Sequence, residues 1–385
     1  MQFRKDYLNC KLADVPYLLP YGQSTADYAA GLRINPSGAR LWDAIAQGAD
    51  REALLAVLSA ECEATAAELP ELRRDLDEFL ESLSLHGVTV TAPVSPFAER
   101  LIQIGPLRIA LKVPDALWER HFRDFACHED GPLHQRISLY VQPPVSHING
   151  TILVRSRELI IAENETSYLF LPQMGPALRE MHVTKDGSEA GLYCPSLTDA
   201  DTDDLFHAIR FAFLVAAMQH NLFVIHSASL LYRDHVWLFS GPSGTGKSTH
   251  TGLWREVFGT PVLNGDLNLV GIEDQKPVCY GLPWNGTSGI RTVGSWPLGG
   301  ITFLKQSPKN EVTIPSADRK ILCLMQRMIS PSWTAAQLLQ TKAFCEHLAS
   351  LSPIFRLCCT KEPSAAQVMK QAIDSYSDSG SLNGR

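Results

Sequence analysis

Apolar residues recur at helical spacing in three places near the start of the chain. In Asn35–Gly48, Leu41, Trp42 and Ile45 fall on one face. Asn35 stands where a cap is needed, Pro36 at the first helical position and Gly48 just past the end, so the segment predicts a helix. Asp50 occupies the cap position of a second such pattern, Asp50–Cys62. In the third, Leu69–Gly87, the residues Leu69, Leu72, Leu76, Phe79, Leu80 and Leu83 share one face and the charges take the other. Small strands are expected before these helices, and a β-like run, Val88–Pro93, follows them.

The pattern then changes to a period of two. Leu107, Ile109, Leu111 and Val113 alternate along one segment, as do Ile137, Leu139 and Val141 along another, and Gly150–Pro172 predicts two or three further strands. Asp199–His220 opens acidic and turns apolar, a polarity that suits a helix macrodipole. His235–Ser240 reads as a buried strand, Ser248–Phe258 as helix and Gly299–Gln306 as another core strand. Ser316–Ile373 reads as mostly amphipathic helix, and residues 376–385 as a disordered end.

Composition narrows the class. The chain has 385 residues, 45% of them hydrophobic and 19% charged, so it can bury sizeable cores in two or three domains. A net charge of −7 argues against a broad nucleic-acid or anionic-membrane surface, and neither partner is expected. The N-terminus lacks the pattern of a signal peptide. The most apolar stretch is interrupted by Gln219, His220, Asn221 and His226, which argues against a bilayer span. The nine cysteines show no CxxC spacing, so reduced thiols in a cytoplasmic protein are expected.

The strongest chemical signal lies between the strand His235–Ser240 and the helix after it. Gly241, Gly246, Lys247 and Ser248 fit G-x-x-x-x-G-K-[ST], and the whole loop comprises Gly241, Ser243, Gly244, Thr245, Gly246, Lys247, Ser248 and Thr249 with Pro242. Glycines let backbone amides approach phosphates, Lys247 reaches the β- and γ-phosphates, and the Ser248 hydroxyl suits Mg²⁺. ATP or another nucleoside triphosphate with Mg²⁺ is therefore the expected ligand.

Phosphoryl transfer needs a carboxylate to position metal or take a proton, and Asp266 downstream of the loop is the candidate for both. Asn264-Gly265 is also a favoured hairpin turn, so turn chemistry stays an alternative for Asp266. His226 lies on the strand before the loop strand, with a tight turn predicted at Arg233-Asp234, and reads as a catalytic candidate or a core histidine. In Tyr280–Thr292, Trp284 is expected to line the pocket and Arg291 to neutralise the transferring phosphate; an ordinary loop is the alternative.

Two family resemblances attach to these residues. Asn35, Gly38, Leu41, Trp42, Phe79, Leu83 and Gly87 resemble the pattern of PqqD-like winged-helix modules. That resemblance implies that residues 1–92 hold the leader of a ribosomally synthesised precursor peptide, which adds a strand to the module's sheet edge. A purely structural winged helix is the alternative. The acidic face of the third helix argues against a DNA reader.

His226, Gly241–Thr249, Asp266 and Gly281–Ile290 resemble the HPr kinase-like branch of the PEP-carboxykinase-type P-loop fold. The resemblance implies that His226 contacts the transferred phosphate, Lys247 and Ser248 bind nucleotide and metal, and Asp266 is the base toward a seryl hydroxyl. It also implies a homo-oligomer. The chain departs from that family at Gly265, where bacterial HPr kinases have a second aspartate, and it lacks their metal-binding glutamate near Pro283–Gly289.

The expected architecture is α/β, α+β overall. A winged-helix module (1–92) and a β-rich lobe (93–199) precede a mixed-sheet P-loop core (200–375). The expected activity is ATP-dependent phosphorylation of a peptide hydroxyl, with a non-catalytic nucleotide-binding peptide chaperone and a small-molecule kinase as alternatives.

Overall fold

Two of the three predicted N-terminal helices begin at the caps read from the sequence. In the computed structural model, which describes every residue except 1, 5, 27–28, 66, 87, 91–92, 129–130, 143–149, 175–176, 287 and 382–385, Asn35 Oδ1 accepts from the Gly38 amide at 2.6 Å. Asp50 accepts from the Ala53 amide at 2.8 Å. The helices span Pro36–Ala46, Arg51–Glu61 and Leu69–Leu85. A Cβ on Gly38 would lie 2.9 Å from the Phe79 ring, so the small residue lets the first helix approach the third. Gly87 of the same pattern lies outside the described residues.

A hairpin, Tyr7–Leu12 with Val15–Pro20, turns at Ala13 and Asp14, both at positive φ, and Leu32–Arg33 pairs on its inner side. Gln2–Phe3 pairs with Thr89–Val90. These elements enclose Leu18, Leu41, Trp42, Leu76 and Leu83. The resulting compact unit spans Met1–Val94.

The second compact unit comprises Ser95–Pro143 and Asn149–Arg385, so the β-rich lobe and the P-loop core share one interior. The lobe is an eight-stranded sheet in the order Glu99–Ile104, Leu107–Lys112, Gln135–Tyr140, Glu189–Tyr193, Glu180–Thr184, Ser167–Pro172, Leu159–Glu163, Thr151–Arg155. Helix Thr202–Gln219 is buried along most of its length against this sheet and against Leu267, Leu269 and Trp284 of the core. Gly187, at φ 75°, takes the position where a Cβ would meet the Ala216 backbone at 2.5 Å.

The core sheet is mixed, as expected. Phe223–Tyr232 and the loop strand His235–Ser240 form a hairpin whose turn residues, Arg233 and Asp234, have φ of 52° and 61°. Val262–Asn264 and Leu267–Glu273 pair with Phe223–Tyr232, followed by Lys276–Tyr280 and then Ser295–Gln306. The long strand Ser295–Gln306 also runs parallel to His235–Ser240, so the ladder returns on itself. Helices Lys247–Phe258 and Pro363–Tyr376 cover one side around Trp254, and Ala317–Met325 and Ala335–Leu351 cover the other around Phe344.

Two features correct the reading of the C-terminal part. Ile354–Cys359, within the stretch read as mostly helix, is a core strand parallel to Ser295–Gln306. Its apolar run follows Pro353, and the helix before it supplies the crossover that parallel pairing needs. The end read as disordered from residue 376 continues as a helical turn over Ser377–Ser381, where Arg233 holds Asp378 at 2.9 Å. Among the described residues, no helix is long and apolar enough to cross a membrane.

Candidate functional site

The phosphate loop is held open by backbone geometry and short tethers. Gly244 and Gly246 have φ of 77° and 99°, which favour glycine, and the helix begins at Lys247 directly after Gly246. A Cβ on Gly241 would lie 2.7 Å from Thr245 Oγ1, so the loop closes tightly there. Thr245 Oγ1 donates to the Pro242 carbonyl at 2.7 Å, and Gln306 Nε2 donates to the Gly244 carbonyl at 3.0 Å. Ser243, Ser248 and Thr249 are exposed, which leaves this end of the helix open to an anion.

Lys247 folds back over the loop, with Nζ 3.4 Å from the Gly241 carbonyl. Burial lowers its pKa, Asp266 opposes that shift and Arg327 adds to it. Arg327 was not singled out from the sequence. It follows helix Ala317–Met325, its Nη1 also lies 3.4 Å from the Gly241 carbonyl, and its own carbonyl accepts from the His226 amide at 2.8 Å. No motif marks it; only the fold places it beside the loop.

His226 and Asp266, predicted separately, meet. His226 Nε2 is 3.1 Å from Asp266 Oδ1. The His226 carbonyl accepts from Ser240 Oγ at 2.7 Å, which ties the histidine to the last residue of the loop strand. The hydrogen bond from His226 is the largest influence on Asp266 and holds its carboxyl below the usual aspartate value, against the opposite effect of burial. Lys247 and Arg210 lower it further.

Asn264-Gly265 is not a hairpin turn. Val262–Asn264 and Leu267–Glu273 both pair with the His226 strand, so Gly265 and Asp266 interrupt one strand rather than join two. Buried Asn264 fixes the interruption: its Oδ1 accepts from the Asp266 amide at 2.9 Å and the Leu267 amide at 3.2 Å. Its Nδ2 donates to the Trp284 carbonyl at 3.2 Å. A Cβ on Gly265 would meet Ser288 Oγ at 2.2 Å, and one on Gly286 would meet the Asp266 carboxyl carbon at 2.8 Å. Gly286 and Ser288 therefore lie directly on the Gly265-Asp266 step, and a second aspartate at position 265 requires Ser288 to move.

Trp284 and Arg291 both border one cavity, and each is anchored by a partner remote in sequence. Trp284 is 2% exposed, donates from Nε1 to the Phe206 carbonyl at 2.9 Å and stacks on Phe206, so it is part of the core beneath the site. Arg291 is held at the cavity wall. Its guanidinium donates to Asp124 at 2.9 Å and to the Arg120 carbonyl at 3.2 Å.

Ser248 and Asp266 offer hard oxygen donors. Among the described residues, no group of three or more His, Cys, Asp or Glu side chains assembles as a metal cage. Isolated oxygen donors of this kind are what Mg²⁺ takes beside waters and nucleotide phosphates.

Residues 28–88 match the family model described as Coenzyme PQQ synthesis protein D (PqqD), which bears out the resemblance read in the N-terminal helices. No curated protein matches the chain. Among solved structures, the Hpr(Ser) kinase/phosphatase from Coxiella burnetii is matched at 10% identity and a TM-score of 0.25. The match covers 40% of this chain and 98% of that one. At so distant a likeness, the functional argument rests on the residues of the site.

Proposed function

We propose that the chain is an ATP-dependent phosphotransferase. In this reading it phosphorylates a serine hydroxyl of a ribosomally synthesised precursor peptide, held through its leader by the N-terminal unit. The observation that carries the reading is the 3.1 Å pair of His226 and Asp266, formed on strands next to a phosphate loop whose lysine acts electrostatically on the same aspartate. Loop amides and Lys247 hold the phosphates of ATP or a related nucleotide. The hydroxyl oxygen attacks the γ-phosphorus in line, Asp266 takes its proton, the bond from the γ-phosphorus to the β,γ-bridging oxygen breaks, and the nucleoside diphosphate leaves. His226 holds one carboxylate oxygen and leaves the other for that proton. Mg²⁺, taken up by Ser248, waters and the nucleotide phosphates, would supply charge neutralisation there.

The PqqD match supports a peptide as the partner. So does the strand Tyr7–Leu12, which pairs on one side only among the described residues and carries Leu8 and Leu12 at 58% and 47% exposure. An incoming peptide strand can satisfy such an edge, with main-chain hydrogen bonds for affinity and alternate side chains for selectivity.

Incubation of the full chain with γ-labelled ATP, Mg²⁺ and a leader-bearing peptide tests the reading. Label should move to the peptide, and removing the leader should raise KM strongly without weakening nucleotide binding. A nucleotide-dependent peptide chaperone is the second reading, favoured by Gly265, packed under Ser288, where a second carboxylate would otherwise stand. It predicts peptide and nucleotide binding with no label transferred.

A further inference from the structure

Next to Asp266, and lined by no residue of the phosphate loop, is a cavity of about 650 Å³ whose walls include His207, Arg210, Asn285, Gly286 and Arg291. This volume lies within the range of small-ligand sites. Gly286 separates the cavity from the aspartate by less than a side chain, since a Cβ there would touch the carboxyl group. The wall carries three arginines, and two are already paired: Arg291 with Asp124 at 2.9 Å and Arg120 with Asp203 at 3.3 Å. His121, whose pKa burial pushes down to about 4, stands there as a neutral imidazole whose Nε2 is buried without a hydrogen bond among the described residues.

Arg210 is the exception among the arginines. It projects from the apolar helix Thr202–Gln219, is half-buried, and its Nε is buried without a hydrogen-bond partner among the described residues. The acid acting on it electrostatically is Asp266. A half-buried guanidinium whose Nε is buried without a partner is costly unless an anion completes it, and its planar fork suits a carboxylate. Asp266 cannot be that anion throughout a reaction in which it takes a proton.

We infer that this cavity receives the phosphate acceptor and that Arg210 selects an acceptor whose hydroxyl has a carboxylate beside it. The inference rests on the phosphotransferase reading and names the substrate class for the same site. The carboxylate can come from an acidic side chain next to the serine or from a peptide C-terminus.

The test uses the full chain with ATP, Mg²⁺ and millimolar acetylated pentapeptides. One pair has Asp or Asn beside a central serine with an amidated end, and a second pair has a terminal serine as free acid or amide. Phosphopeptide is read by mass spectrometry, and binding by saturation-transfer NMR with a non-hydrolysable nucleotide. Wild type should favour at least one carboxylate-bearing peptide over its neutral partner by about tenfold or more, and which pair responds identifies the source. Arg210→Gln should remove the preference, and Arg210→Lys should keep part of it. Equal use of charged and neutral peptides by wild type, or a preference that survives Arg210→Gln, overturns the inference. An equal loss for all peptides in Arg210→Gln would reduce Arg210 to a positioning residue for Asp266. If no pentapeptide is phosphorylated, transfer to the leader-bearing peptide decides the phosphotransferase reading, and the binding arm still decides whether the cavity prefers the carboxylate.

Discussion

His226 Nε2 lies 3.1 Å from Asp266 Oδ1 because the strand opposite His226 is interrupted at Gly265-Asp266. An uninterrupted ladder would send alternate side chains to opposite faces, whereas the break anchored by Asn264 turns the carboxylate toward the histidine.

That contact sets a pH dependence. Asp266 is held below the ordinary aspartate value, first by the hydrogen bond from His226, so it stays ionised to a lower pH than an ordinary aspartate does. The same depressed value contributes stability above the unfolded pKa, lost as pH falls through the folded one. In His226→Ala, burial still raises the carboxyl pKa while the largest lowering influence is gone. The acid limb of log kcat/KM should then move up, and turnover should fall roughly ten- to a hundredfold. An unchanged limb would separate the two residues functionally.

Gly265 gives a counter-intuitive expectation. Gly265→Asp restores a second carboxylate by composition, yet its Cβ would fall 2.2 Å from Ser288 Oγ. The variant should lose about 1–3 kcal/mol of stability through overpacking and displace the loop 285–290. Adding Ser288→Gly should recover much of both. Denaturant melts of the single and double variants measure the effect, and full stability in Gly265→Asp would contradict the account.

His250, one turn into the loop helix, is 2% exposed and accepts from Trp254 Nε1 at 3.1 Å. Burial pushes its pKa from 6.5 down to about 4. The folded state therefore resists a proton that the unfolded chain accepts, and stability falls as the pH drops from 6.5 toward 4. The contribution is on the order of 3 kcal/mol. His250→Gln, which can still accept from Trp254, should flatten the fall in Tm across this window relative to wild type. An identical pH profile in both would show that His250 does not titrate this way.

Much of this site was legible because its chemistry is local. The loop signature, the two helix caps and the Arg233-Asp234 turn depend on residues a few positions apart, and each is found where the sequence places it. His226 and Asp266 were legible one at a time; their contact depends on strand order. Trp284 and Arg291 were legible as parts of a pocket wall, because a Gly-rich segment with one aromatic and one cation looks like a binding loop, but their anchors were not. Phe206 and Asp124, which claim them, are remote in sequence. Arg210 had a signal that went unread: a lone cation within the apolar run Ala208–Met218 needs either a partner or a function. Arg327 and the strand Ile354–Cys359 depend on the crossover of the last helices and were not marked by any motif.

The central claim is that Asp266 serves transfer rather than nucleotide binding. Asp266→Asn keeps the shape and, through its carbonyl oxygen, can still accept from His226, but it cannot take the acceptor's proton. Single-turnover transfer from γ-labelled ATP to the leader-bearing peptide, measured beside nucleotide affinity, should fall by on the order of 10²–10⁴-fold while affinity changes little. Phosphopeptide formed by Asp266→Asn at the wild-type rate, or a wild-type chain that binds nucleotide and peptide and transfers nothing, would contradict it.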